Sequence, residues 1–156
     1  MNQTLLIING PNLAMLGKRE PELYGRDTYE DLQKFCRSEA QKRGYLVEIF
    51  QSNSEGEIVT RLNRAMTGNY TGIIINPAAY THYSYAIYDA LLMLNIPKIE
   101  VHLTNIYNRE SFRAKSVTSM ACDRQVSGRG FEGYADAMDL IGLILKERSA
   151  EKNNGI

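Results

Sequence analysis

Short apolar runs alternate along this chain with segments whose apolar residues recur every three or four positions. The first run, Leu5-Leu6-Ile7-Ile8, stops at Asn9-Gly10-Pro11-Asn12 and predicts a buried strand entering a tight turn. Residues 28–43 then place Tyr29, Leu32, Phe35, Cys36 and Ala40 at helical spacing. Asp27 with Glu30, or Thr28 with Asp31, can cap this helix, and Gly44 closes it. A strand over 45–50, a helix over 55–66 with Ile58, Leu62 and Ala65 inward, and a strand over 72–76 follow. That third strand, Gly72-Ile73-Ile74-Ile75-Asn76, is continuously apolar, as strands buried on both faces are. The alternation continues with a helix over 82–94, a strand over 98–102, a looser stretch over 103–124, a short strand over 125–127 and a helix over 131–146. From Ser149 the sequence turns polar, and a disordered tail over 149–156 is expected.

Five strands alternating with helices imply an α/β fold, a three-layer sandwich of flavodoxin-like type around a five-stranded parallel sheet. No repeat, linker or low-complexity segment divides it, so residues 1–148 read as a single α/β domain, catalytic on the argument that follows. A length of 156 residues, 44% hydrophobic, suffices for one core and little more. Lys and Arg number 18, as do Asp and Glu, so no net field points to nucleic acid or to an anionic membrane. The apolar runs are too short to span a bilayer, and Met1-Asn2-Gln3-Thr4 lacks the basic and apolar regions of a signal peptide. A cytoplasmic protein is expected. Cys36 and Cys122 have no metal spacing and read as small buried hydrophobes in a reducing compartment. Asn69-Tyr70-Thr71 matches a glycosylation sequon, which carries little without secretion.

The polar residues fall at the strand ends. Strand one gives Asn9 and Asn12, strand two Gln51-Ser52-Asn53, strand three Asn76, and strand four Glu100 and His102. Any one of these can be a mere turn former, yet together they mark the carboxyl edge where open α/β sheets bind ligands. Strand alternation puts Glu100 and His102 on one face, where a carboxylate can hold an imidazole in one tautomer or raise its pKa, as a general acid needs. A buried histidine satisfied by backbone is the competing reading. His82 is expected to open the third helix, with Asp89 two turns on and on the same face; cap and surface roles are slightly favoured for both. Arg109 and Arg113 lie four apart beyond strand four. Arg109 with Glu110 can be an ordinary surface pair, while Arg113 can bind a carboxylate or hydroxyl, or add positive potential around a tyrosinate.

Arg19 and Tyr24 sit in a stretch, 17–25, punctuated by Gly and Pro and too polar for core. A fixed cation near a phenol favours the phenolate, so this loop can deliver a tyrosine base onto a bound substrate. A metal site from His82, His102, Glu100 and Asp89 lacks any adjacent-turn ligand spacing and is rejected. Gly128-Arg129-Gly130-Phe131-Glu132-Gly133 matches a GxGxxG motif, but no further strand follows its helix. It reads as a tight turn with close helix packing.

The ordered motifs are similar to those of the type II 3-dehydroquinate dehydratases. The likeness runs through Gly10-Pro11-Asn12-Leu13, Arg19-Glu20-Pro21 with Tyr24-Gly25, Gln51-Ser52-Asn53 with Glu55-Gly56, and Ile75-Asn76-Pro77 with Ala79-Tyr80-Thr81-His82. It continues through Asp89-Ala90-Leu91, Pro97 with Ile99-Glu100-Val101-His102-Leu103, and Arg109-Glu110 with Phe112-Arg113, as far as Gly133-Tyr134. The resemblance implies reversible anti elimination of water from 3-dehydroquinate to give 3-dehydroshikimate through an enolate, in the shikimate or quinate pathway, without metal or organic cofactor. It implies Tyr24 as a tyrosinate base, Arg19 as the group that lowers its pKa, and Arg113 as a further substrate contact. It assigns His102 as the acid for the departing hydroxyl, Glu100 as its orienting partner, and Asn12 as support for the enolate. Asn76, His82 and the backbone amides of Leu103 and Thr104 would bind hydroxyls and the carboxylate. Asp89 would reach a neighbouring subunit's site, since the family resembles trimers assembled into a dodecamer.

Bringing a phenol from a pKa of about 10 to near neutrality takes roughly 4 kcal/mol, more than one exposed ion pair supplies. Two arginines in a site closed by the loop can supply it. The chain departs from the family pattern at Ala14 (usually Asn), Ala78 (Gly), Tyr88 (Arg), and Tyr107 and Ala114 (often His). Tyr88 and Ala114 bear on subunit contacts and on the surroundings of Arg113, and a β-carbon at Ala78 bears on the turn that presents His82. A receiver-type signalling module would need acidic residues after strand one and an aspartate ending strand three, and a flavin protein a Ser/Thr-rich phosphate loop; neither is present. An inactive relative that keeps the scaffold is the third alternative, opposed by the intact Arg19, Tyr24, Asn76, His102 and Arg113.

Overall fold

A computed structural model describes residues 2–155, with the side chains of Leu23 and Tyr24 outside the description. Its strands are β1 (Gln3–Asn9), β2 (Tyr45–Gln51), β3 (Gly72–Asn76), β4 (Lys98–His102) and β5 (Arg124–Ser127). All pair in parallel, in the order β2-β1-β3-β4-β5. The helices are α1 (Pro21–Tyr24), α2 (Tyr29–Lys42), α3 (Glu55–Ala65), α4 (Tyr85–Leu92) and α5 (Glu132–Asn154).

Alternation along the strands divides the core between two faces. Leu5, Ile7, Ile74, Ile99 and Val101 meet Leu32 and Cys36 of α2 and Met138 and Ile141 of α5. Leu6, Ile8, Ile73 and Ile75 meet Ile58 and Leu62 of α3 and Ile87 and Leu91 of α4. Burial of each such side chain contributes about 1.5–3 kcal/mol. This is the flavodoxin-like three-layer sandwich expected from the alternation.

The local signals resolve in favour of specific partners. Of the two possible caps for α2, Thr28 and Asp31 form the box: the Thr28 side chain accepts from the Asp31 amide at 3.1 Å, and Asp31 accepts from the Thr28 amide at 2.9 Å. Three segments differ from the sequence reading. The helix expected over 82–94 begins only at Tyr85, because Ser84 caps it by accepting from the Ile87 amide at 3.1 Å. His82 instead ends a separate 3-10 turn, Ala78–His82, so it does not share a helical face with Asp89. The last helix does not stop near residue 146 or give way to a tail at 149; it continues to Asn154. Nothing in Ser149-Ala150-Glu151-Lys152 breaks a helix, and Arg148 ties this end to the body through the Asn95 carbonyl (2.6 Å) and Asp123 (3.2 Å). Finally, Pro21 seeds a four-residue helical turn, α1, inside the loop read as irregular.

Candidate active site

At the carboxyl edge of the sheet the ends of β1, β3 and β4 and their following loops enclose a cavity of ≈ 120 Å³. From β1 come Pro11 and Asn12, from β3 Asn76 and Ala79, and from β4 His102 and Thr104. Arg19, His82, Arg109 and Arg113 also line it. The register explains this convergence: Asn9 is the partner of Asn76 across β1 and β3, and Ile75 that of Glu100 across β3 and β4. The backbone can draw this close because Gly10 has no side chain. Its amide donates to the Asn76 carbonyl at 2.8 Å.

Glu100 lies behind the cavity, fully buried, and accepts from four side chains. His102 Nε2 stands 2.9 Å from its Oε2, which also accepts from Ser116 (2.7 Å) and Gln125 (2.8 Å), while Thr118 donates to the other oxygen. Burial pushes this carboxyl upward, but the hydrogen bond and charge of His102, with those of Thr118 and Gln125, outweigh it and hold the group below the ordinary carboxylate range. An ionised Glu100 can only accept, so His102 Nε2 carries a proton and Nδ1 is the nitrogen left for other partners. Among the partners of Glu100, Ser116, Thr118 and Gln125 were missed by sequence reasoning. Gln125 was findable, since it is the register partner of Glu100 on β5. Ser116 and Thr118 lie in the looser stretch and carry no pattern.

His82 Nδ1 lies 2.8 Å from the Lys115 carbonyl, an acceptor, so this nitrogen also bears the hydrogen. Burial holds the imidazole below the usual histidine range against the opposing pull of that hydrogen bond, with the charges of Arg113 and His102 adding to the depression. At neutral pH His82 is therefore an uncharged ring whose Nε2 accepts, suited to a hydroxyl rather than a carboxylate.

Asn12 takes a left-handed backbone (φ 69°), and its amide donates to Asn53 Oδ1 at 3.0 Å. Gln51 bridges the same Asn53 oxygen and the Gly10 carbonyl, each at 3.1 Å, so the polar end of β2 braces the loop and does not line the cavity. Asn76 accepts from the Ala78 amide at 3.1 Å, and Ala78 keeps a left-handed φ of 52° despite its β-carbon. Glu110 pairs with Arg113 at 2.6 Å, and Arg113 also lies over the Phe112 ring at 4.8 Å. Glu110 is also held below the ordinary carboxylate range, by hydrogen bonds first and, to a smaller extent, by the charges of Arg113 and Arg109, and Arg109 lines the cavity as well. Arg19 stands 3.8 Å from Glu20. Leu103 and Thr104 line the cavity; Asp89 is exposed on α4 and does not. The Tyr24 side chain lies outside the described residues.

The GxGxxG segment joins β5 to α5 as a tight turn. Gly128 and Gly130 have φ of 78° and 56°, and their amides donate to the carbonyls of His102 (3.2 Å) and Leu103 (3.0 Å). A β-carbon on Gly133 would meet Val101 at 3.2 Å, the close helix–sheet contact expected of that glycine.

The sequence and fold also have known relatives. Residues 3–142 match the family model described as dehydroquinase class II. The 3-dehydroquinate dehydratase of Thermotoga neapolitana is 51% identical over 145 residues, 93% of this chain and 98% of the relative. That of Clostridium acetobutylicum is 56% identical over 143 residues, 92% and 99% of the two chains. The crystal structure of a type II dehydroquinase from Butyrivibrio crossotus superposes with a TM-score of 0.88 at 45% identity, covering 90% of this chain and 98% of that one. A likeness that spans the whole sheet and every strand-end loop is one of family and not of fold alone, and this chain belongs to the class II dehydroquinases.

Proposed function

We propose that the cavity binds 3-dehydroquinate and that the chain catalyses its reversible dehydration to 3-dehydroshikimate, as a hydro-lyase. The observation that carries this reading is the buried pair Glu100–His102 opening into a cavity flanked by three arginines, in a chain of this family. Tyr24, as tyrosinate, removes the proton beside the ketone, leaving an enolate whose charge Asn12 and Arg19 stabilise. His102, carrying a second proton on Nδ1, then gives that proton to the departing hydroxyl, which leaves as water, while the Nε2 hydrogen stays bonded to Glu100 and the carboxylate holds the ring. His82 accepts from a substrate hydroxyl through Nε2, Asn76 donates to another oxygen, and the amides of Leu103 and Thr104 receive the carboxylate. Arg113 and Arg109 add positive potential. Asp89, outside its own cavity, serves the site of a neighbouring copy in a homo-oligomer of trimers, a dodecamer in full assembly. A cytoplasmic location belongs to this reading, supported by two free cysteines, of which burial pushes the Cys36 thiol up to about 12.

The test is direct. Incubation with 3-dehydroquinate should produce the ultraviolet absorbance of a conjugated enone, and Tyr24→Phe should abolish it while the circular dichroism spectrum stays unchanged. No absorbance from the unaltered protein overturns the assignment of substrate; full activity in Tyr24→Phe overturns the assignment of the base.

A further inference from the structure

Tyr134 is fully buried on the first turn of α5, yet its hydroxyl is not idle. It donates to Asn9 Oδ1 at 2.6 Å and accepts from Asn76 Nδ2 at 3.4 Å. Asn9 in turn donates through Nδ2 to the Tyr29 hydroxyl at 3.4 Å. Two adjacent strands thus end in asparagines that share register, and one phenol joins their amides.

The geometry points to Tyr134 as a positioning residue that fixes which way the Asn76 amide faces in the cavity. An asparagine amide can adopt two orientations that exchange its oxygen and nitrogen at little steric cost. Here two neighbours choose between them. The Ala78 amide requires an acceptor and holds Oδ1. The Tyr134 oxygen has committed its proton to Asn9, so toward Asn76 it can only accept, and it holds one hydrogen of Nδ2. On its nitrogen side Asn76 keeps for a ligand the second Nδ2 hydrogen, a donor, and the two neighbours fix which side of the amide that is. Burial keeps the phenol neutral, raising its pKa well above the ordinary tyrosine value, so the direction of the chain does not reverse at working pH. A phenylalanine would fill the same space and leave both Asn9 Oδ1 and one hydrogen of Nδ2 without partners.

This inference rests on the proposed substrate only for its kinetic readout. Tyr134→Phe should raise KM for 3-dehydroquinate by about two- to tenfold, the worth of one hydrogen bond, with kcat little changed. In an Asn76→Ala background the same substitution should change KM by less than about twofold, since the residue it acts through is gone. The side-chain amide protons of Asn76, followed by nuclear magnetic resonance without substrate, should exchange with water faster in Tyr134→Phe. If Tyr134→Phe fails to fold, Asn9→Leu, which removes the acceptor that directs the phenol proton, should give the same background-dependent KM shift. An unchanged KM, or an equal rise in both backgrounds, overturns the inference while leaving the substrate assignment standing. Absence of any turnover overturns that assignment, and the amide exchange then decides the role of Tyr134 alone: unaltered exchange refutes it.

Discussion

Gly10→Ala should damage both stability and turnover. An added β-carbon would lie 2.5 Å from the Pro77 carbonyl oxygen, 2.7 Å from its carbon and 3.2 Å from the Asn76 oxygen. All three are backbone atoms, so no rotamer change gives relief. Ordinary contact begins near 3.4 Å, so the turns after β1 and β3 must part by about 0.9 Å. A movement of that size along the Gly10–Asn76 hydrogen bond, now 2.8 Å, would stretch it past bonding distance. Overpacking costs about 1–3 kcal/mol and the lost bond about 1 more, for a destabilisation of about 2–4 kcal/mol. The same two turns carry Pro11 and Asn12, and Ala78 and Ala79, into the cavity lining. Misplacement by about an ångström can cost on the order of a hundredfold in rate. Urea denaturation and steady-state kinetics measure the two effects. Gly56→Ala is the control, because its β-carbon would meet nothing nearer than Ser54 Oγ at 3.7 Å; it should be neutral or stabilising by up to about 1 kcal/mol. A Gly10→Ala protein within about 0.5 kcal/mol and twofold of the parent would refute the claim that this approach shapes the site.

Three further outcomes follow from the same geometry. Ala78→Gly should stabilise the protein by about 1 kcal/mol in urea unfolding, because it relieves a β-carbon held at φ 52°; destabilisation would mean the methyl's packing outweighs the strain. Glu100 binds its proton less readily folded than unfolded, so its contribution is full above the unfolded pKa of about 4.3 and is lost as pH falls through the lower folded value. Glu100→Gln should therefore be less stable at pH 7 yet lose less stability on acidification, and parallel urea midpoints from pH 7 to pH 3 would contradict this. Lys98, the one lysine embedded in a strand pattern, is buried at the far end of β4 and donates to the carbonyls of Leu91 (2.8 Å) and Leu94 (2.6 Å). It caps the end of α4 and cannot meet a ketone in the cavity, so borohydride with substrate should leave activity intact; covalent inactivation would point to a Schiff base instead.

The sheet was legible because the apolar runs are short, and only a parallel, doubly covered sheet buries Gly72-Ile73-Ile74-Ile75 on both faces. The pairing of Glu100 with His102 was legible for a related reason, since a period of two leaves neighbours on one face no alternative. Where competing local bonds decide, pattern failed. Ser84 takes the cap and strands His82 in its own turn, and Arg148 anchors a helix end that composition alone marks as tail. The supports of the site were harder still. Ser116 and Thr118 reach Glu100 across 16 and 18 residues from a stretch with no periodicity. Tyr134 reads as one more apolar position on α5, in phase with Met138 and Ile141. Its hydroxyl finds partners 58 and 125 residues away, at strand ends that come together only once the sheet has formed. A hydrophobic pattern specifies which faces are covered, but an aromatic ring satisfies that pattern with or without its oxygen. The polar atom adds a requirement that only the register of β1 against β3 can meet, which is why a group able to orient Asn76 is invisible until the fold is in hand.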